Sequence, residues 1–154
     1  MPNTLPDFFA VATHRAMTDL VTALFRIPED KRQWSPGGTA RHALDQIAEC
    51  VLLNGYTADL IHTRHWATSG FTQYEQAKSE LDASGWDQIH TRLQENTQRV
   101  IEAIRTVPED ALNEEIELPG SKETLAAVIA FCYWNMSYHQ GQINYLASIL
   151  GCRY

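Results

Sequence analysis

From residue 125 onward, apolar side chains recur at alternating steps of four and three: Leu125, Ile129, Cys132, Met136, His139, Ile143, Leu146 and Leu150. That alternation holds one stripe of a 3.6-residue helix in one direction, where neighbouring helices have to cover it. Gly151 supplies its stop. The same spacing recurs between the other Pro and Gly breaks. A first helix is predicted over about residues 5–26, with Thr4 as N-cap, Asp7 three residues on, Pro6 tolerated in the first turn, and Phe9, Ala12, Ala16, Leu20 and Leu24 inside. The second follows Thr39 and runs to about residue 66, roughly 40 Å, burying Ala40, Leu44, Ile47, Val51, Ala58 and Ile61. The third follows Ser84, which with Asp87 resembles a capping box, and turns Trp86, Ile89, Leu93, Val100 and Ile104 inward before Pro108 ends it. The fourth begins at Ser121, after Pro119-Gly120. The polar stretch 67–83 reads as a crossover carrying a short helix near 72–81. An all-α chain follows: one domain over residues 1–154, a four-helix bundle with a long connection between helices two and three.

Composition narrows the function classes. With 154 residues, 44% hydrophobic, a single core needs no disulfide or structural metal. Cys50, Cys132 and Cys152 are odd in number and widely spaced, which fits a reducing cytoplasm. The first residues lack a basic and apolar leader, and the longest near-apolar run, 125–134, is about half a bilayer span, so neither export nor a membrane partner is expected. Twelve Lys plus Arg against 19 Asp plus Glu, a formal net charge of −7, would repel a phosphate backbone and argues against nucleic acid. Nucleotide, dinucleotide, serine-hydrolase and HExxH zinc motifs are absent.

There is a faint internal echo. Arg26-Ile-Pro28-Glu29-Asp30 leads through Pro36-Gly37-Gly38 to a helix, and Arg105-Thr-Val-Pro108-Glu109-Asp110 leads through Pro119-Gly120 to another. Pro-Glu-Asp after a helix is also ordinary turn chemistry. Should the halves be related, inward polar residues of helices two and four would meet at the bundle centre.

His139 is the most informative polar residue. A seam otherwise filled by Leu, Ile, Met and Cys obliges its imidazole to hydrogen-bond or ligate, or to bear a desolvation cost of about 1–3 kcal/mol. Asn135 lies one turn earlier on the same face, and Gln140 and Gln142 flank the histidine.

The stretch Asn135-Met-Ser-Tyr-His139-Gln-Gly141-Gln142-Ile143, running on to Leu150-Gly151, resembles the fourth helix of the DinB-like (DinB/YfiT) four-helix-bundle superfamily. That family carries HxxxH, a Gly-Gln-(Ile/Leu) tail and a Leu-Gly ending. Trp34-Ser-Pro36-Gly-Gly-Thr39-Ala-Arg-His42-Ala-Leu-Asp-Gln46-Ile-Ala-Glu49 is similar to its second-helix start, and Leu118-Pro119-Gly120 to its lead into helix four. The resemblance implies an up-down-down-up bundle and a divalent metal such as zinc or nickel, held by one histidine of helix two and two of helix four. It also implies, for some members, thiol S-transferase or isomerase activity with a low-molecular-weight thiol, and frequent homodimers.

The chain departs from that pattern where the metal would sit. Gln46 stands at the helix-two ligand position and Asn135 at the first position of HxxxH, leaving His139 alone. Amide oxygens bind borderline metals poorly, so no tightly bound cofactor is expected; Gln46, Asn135 and His139 form either a hydrogen-bonded cluster or a weak metal site. His42, one turn before Gln46, could bring a second imidazole or simply cap the helix. His62 and His65 lie too far along to join it, and His14 and His90 read as structural. Cys50 and Cys132 could approach the pocket but read as inert core. Trp34, Tyr133, Trp134 and Tyr138 supply aromatic surface for core, ligand or partner helix.

Three functions fit these residues: a small-molecule binding or dimerising module with a degenerate metal site, a divergent metal-dependent thiol transferase using His139, and a purely structural bundle whose polar cluster fixes register.

Overall fold

The computed structural model describes residues 4–66 and 70–152. The leader reading of residues 1–3 and the start of the crossover at 67–69 lie outside them. Five helices and a hairpin follow in order: α1 (Leu5–Phe25), α2 (Ala43–Thr63), α3 (Phe71–Ala83), α4 (Trp86–Arg105), β1 (Glu115–Leu118), β2 (Ser121–Thr124) and α5 (Leu125–Ile149). The four long helices are those the apolar spacing predicts, and α3 is the crossover helix.

The helix directions can be read from side-chain pairs. Asn96 donates to the Val51 carbonyl at 2.9 Å and Arg99 reaches Asp59 at 2.6 Å, so α2 and α4 run parallel. Phe9 stacks on Tyr133 near one end while Arg26 bonds Asn144 near the other, so α1 and α5 run parallel too. Gln46 faces His139 and Cys50 faces Asn135, which makes α2 and α5 antiparallel. Each long helix packs on two others, α1 on α4 and α5, α2 on α4 and α5. The result is an up-down-down-up bundle.

Two apolar clusters fill it. One, toward the hairpin, includes Phe9, Ile61, Ile104, Ile116, Leu125 and Ile129; the other includes Leu20, Leu24, Ile47, Leu93, Met136 and Ile143. Burying each such side chain contributes about 1.5–3 kcal/mol. Buried Asn54 donates to Thr97 Oγ1 at 3.0 Å and to Met136 Sδ at 3.5 Å, so the interior polar groups of α2 and α4 satisfy each other.

Several boundaries differ from expectation, each for a local reason. Helix α2 starts at Ala43 because His42 caps it: His42 Nδ1 accepts from the Asp45 amide at 3.3 Å. It ends at Thr63, with Arg64 left-handed at φ 58, so it is about 32 Å long. Ser84 closes α3, its hydroxyl donating to the Leu81 carbonyl at 2.6 Å, and Gly85 at φ +84 reverses the chain into α4. Residues 121–124 form a strand rather than helix. They pair antiparallel with β1 around the turn residues Pro119 and Gly120, the latter at φ +85, and Thr124 then caps α5. Ala12 is half-buried while Thr13 is buried, and Trp86 is half-buried, stacked on His90 at 4.8 Å. Both Pro-Glu-Asp segments form 3-10 turns, Glu29–Lys31 and Glu109–Asn113, so the echo has a structural counterpart.

Candidate functional site

The site lies where the start of α2 meets the second half of α5, at the end of the bundle away from the hairpin. Gly37 and Gly38, at φ +107 and +62, turn the chain, and Ser35 braces the loop by donating to the Ala40 carbonyl at 2.7 Å. Arg41, just outside the helix, folds back over its first two turns. Its guanidinium bonds the Asp45 carboxylate, the Asp45 carbonyl at 3.0 Å and Glu49 Oε2 at 2.6 Å. Lys78 of α3 reaches the other Asp45 oxygen at 3.5 Å, tying the crossover helix to the same network.

His139 stands at the centre, 2% exposed. Gln46 Nε2 donates to the Arg41 carbonyl at 3.0 Å, which turns Gln46 Oε1 toward His139 Nδ1 at 3.2 Å. Gln142 Oε1 lies 2.8 Å from the same nitrogen, and Glu49 Oε1 lies 3.0 Å from Nε2. Both ring nitrogens therefore face oxygen atoms, so the imidazole is held by contacts on each side. Burial pushes the Glu49 carboxyl up, but the hydrogen bonds and charges of His139 and Arg41 outweigh it and bring the group down to about 2. Glu49 is a carboxylate held between the Arg41 guanidinium and the His139 ring.

The expected trio is only partly assembled. Gln46 and His139 meet as predicted. Asn135, 4% exposed, sits one turn away, and its amide donates to Cys50 Sγ at 3.7 Å rather than to His139. His42 turns the other way, its Nε2 3.3 Å from Asp82 of α3, and brings no second imidazole to His139. His62, His65 and His14 are exposed. Glu49, Arg41 and Gln142 complete the site, and sequence reasoning missed them as a unit. Glu49 was detectable as the one carboxylate a turn beyond Gln46 on an apolar helix.

The residues present do not suit the metal that the resemblance implies. A metal-bound imidazole needs a lone pair aimed at the ion, whereas both nitrogens of His139 address acceptors, and Arg41 already neutralises the nearest carboxylate. Gln46 and Asn135 offer only amides.

Above His139 opens a cleft of about 640 Å³, lined among others by Thr39, Arg41, Gln46, Tyr138, Gln142 and Tyr145. That volume is in the range of small-molecule sites. A second, more apolar hollow of about 580 Å³ lies at the hairpin end between Trp66, Leu118, Val128 and Phe131. The three cysteines are free. Among the described residues, no helix is long and apolar enough to cross a membrane.

Comparison with known proteins matches this architecture. An uncharacterised protein from Escherichia coli UTI89 superposes with a TM-score of 0.78 at 14% identity, over 100% of this chain and 98% of its own. The colibactin self-resistance protein ClbS, solved in complex with double-stranded DNA, gives 0.73 at 15% identity over 96% and 98%. A DinB-like protein, YjoA, from Bacillus subtilis gives 0.67 at 13% identity over 93% and 91%. No curated protein matches significantly. At these identities the structures speak for the fold alone, whereas the sequence profile of the DinB superfamily matches residues 11–143, most of the chain including both sides of the His139 site. On that match and the up-down-down-up bundle beneath it, the chain belongs to the DinB superfamily.

Proposed function

We propose that this chain is a DinB-superfamily bundle with a degenerate metal site, whose cleft binds a small polar molecule without a resident metal. The observation that carries this is the chain Arg41, Glu49, His139: each of these side chains is already paired with the next, which leaves neutral amide groups and tyrosine rings to meet a ligand. Gln142, half-buried at the cleft floor, is the gate residue, since its Oε1 occupies the His139 Nδ1 direction that a ligand acceptor would take. A cleft of about 640 Å³ above these groups favours ligand binding over a purely structural role. A net charge of −7 works against a duplex phosphate backbone, so this reading does not include DNA, although the similarly folded ClbS was solved in complex with it. Three free cysteines suit a reducing compartment such as the cytoplasm.

Metal analysis of protein purified without affinity tags or chelators tests the central point. Substoichiometric zinc and nickel, and a melting temperature unmoved by chelator, are expected. About one equivalent of either metal, lost on His139→Ala, would overturn it and favour a divergent metal-dependent thiol transferase. Thermal-shift titration with polar metabolites, including low-molecular-weight thiols, should then find ligands whose effect Gln142→Ala and His139→Ala weaken; stabilisation that ignores both substitutions would place binding elsewhere.

A further inference from the structure

The register of the hairpin gives it two unlike faces. Cross-strand partners project to the same side, so Glu115, Glu117, Lys122 and Thr124 share one face, and Ile116, Leu118, Ser121 and Glu123 the other. The first face settles its own charges, with Lys122 Nζ 2.6 Å from Glu115 and 3.5 Å from Glu117. The second turns toward the helices: Ile116 is buried and Leu118 packs on the core cluster. Ser121 and Glu123 point the same way but stay exposed, where the hollow of about 580 Å³ opens beneath them. Glu123, directly across from Ile116, therefore holds a carboxylate at the rim of an apolar cavity. Its side chain has no hydrogen-bond or ion-pair partner among the described residues.

The walls of that cavity are aromatic and held in place. Trp66 is braced edge-on by Tyr56 at 5.8 Å between centroids, and Phe131 of α5 lies against Trp134 at 5.4 Å. Thr57 is the buried polar residue of the lining, and its hydroxyl is engaged with the Cys132 thiol. Among the described lining residues Glu123 is the one charged group. We propose that this hollow is a second binding site, for a small amphipathic amine, with an aromatic or alkyl body seated between Trp66 and Phe131 and an ammonium at the Glu123 carboxylate. Charge complementarity selects the cation. A neutral or anionic ligand of the same shape would strip water from Glu123 and give nothing back, whereas an ammonium replaces that water with an ion pair. The net charge of −7 also draws cations toward the surface. None of these described lining residues is shared with the His139 cleft, and Thr57 lies about 16 Å along α2 from Gln46. The site stands whether or not that cleft binds a ligand.

Nitrogen–proton correlation spectra of the full chain, titrated with phenethylamine, carry the test. The amine should shift the Trp66 indole signal and leave the Gln46 and Gln142 side-chain amides in place. Its dissociation constant should be about a millimolar, ordinary for a ligand of about nine heavy atoms. Phenylpropionate, a similar body ending in a carboxylate, should bind at least about tenfold more weakly, since attraction becomes repulsion. Glu123→Gln should weaken the amine about threefold, the scale of an exposed ion pair, and bring it level with phenylethanol. Ala127→Trp, at an exposed helix position on the hollow, should keep the helical circular dichroism and abolish the Trp66 response. The proposal fails if Trp66 stays unmoved at about ten times the expected dissociation constant. It fails equally if wild type binds amine and carboxylate alike, if Ala127→Trp responds as wild type does, or if the shifts fall on Gln142 instead.

Discussion

His139 Nε2 and Glu49 Oε1 stand 3.0 Å apart across the α2–α5 interface, and the second Glu49 oxygen is held by Arg41 at 2.6 Å. A single carboxylate thus links the loop before α2 to the centre of α5. It does so in a partly buried setting, where removing one partner strands the others.

Acid titration should expose that role. The Glu49 carboxyl is lowered from 4.5 to about 2 in the folded chain. A depressed carboxylate contributes stability that is complete above its unfolded value and is lost as pH falls from about 4.5 toward 2. Because the group is partly open to solvent, about 1 kcal/mol is expected rather than the full linkage value. Urea unfolding of wild type and Glu49→Gln should differ by that amount at pH 7 and converge only as pH falls to about 2. A difference that stays constant across the range would show that Glu49 is not paired in solution.

The cap of α2 makes a second test. His42 Nδ1 accepts from the Asp45 amide, and its other nitrogen faces Asp82. His42→Ala should cost about 1 kcal/mol in urea unfolding, and His42→Asn, whose side-chain oxygen can accept the same amide, should recover most of it. Equal losses in the two variants would move the importance of His42 from the cap to the Asp82 contact.

These details mark where sequence reading stops. The 3.6 period gave four long helices because each has a core face with few exceptions, and His139 stood out as the one imidazole in an aliphatic seam. The hairpin was invisible because only Ile116 of its eight strand residues is buried, so no alternation distinguishes it from polar loop. The start of α2 was misplaced because a side chain sets it, and Ala40 and Arg41 have no propensity against helix. The misplacement hid the site: with Arg41 inside a helix its guanidinium would not fold back to Glu49. Asn135 and Cys50 pair across α2 and α5 in a way that spacing cannot reveal, since the direction of one amide decides it.

Thiol chemistry should follow burial. Burial pushes the Cys132 thiol up to about 12, against a hydrogen bond from Thr57, and raises that of Cys50 as well, helped by the Glu49 charge. Cys152 is half-buried near the end of α5. With a disulfide reagent at mildly alkaline pH, one thiol should react promptly and two only at the rate of unfolding. Prompt reaction of Cys50 or Cys132 would mean that the core beside the cleft opens to solvent, and would restore a nucleophilic role for that residue.

The last test rebuilds what the residues lack. Gln46 already lies 3.2 Å from His139 Nδ1, and residue 135 is one turn from His139 on the same inward face. Gln46→His with Asn135→His should therefore place three imidazoles around one point and raise zinc affinity at least tenfold over wild type, measured by calorimetry. The gain should remain below that of a built site while Arg41 keeps Glu49 neutralised and a cation beside the ion. Adding Arg41→Met removes that charge, frees Glu49 to orient or ligate, and should tighten zinc further. Two outcomes are informative in opposite directions. Rising affinity through the series would show that the His139 site differs from a metal centre by donor chemistry and one guanidinium, with the scaffold intact. No gain in either variant would mean that positions 46, 135 and 139 do not converge, and the site would have to be read as a hydrogen-bond network alone.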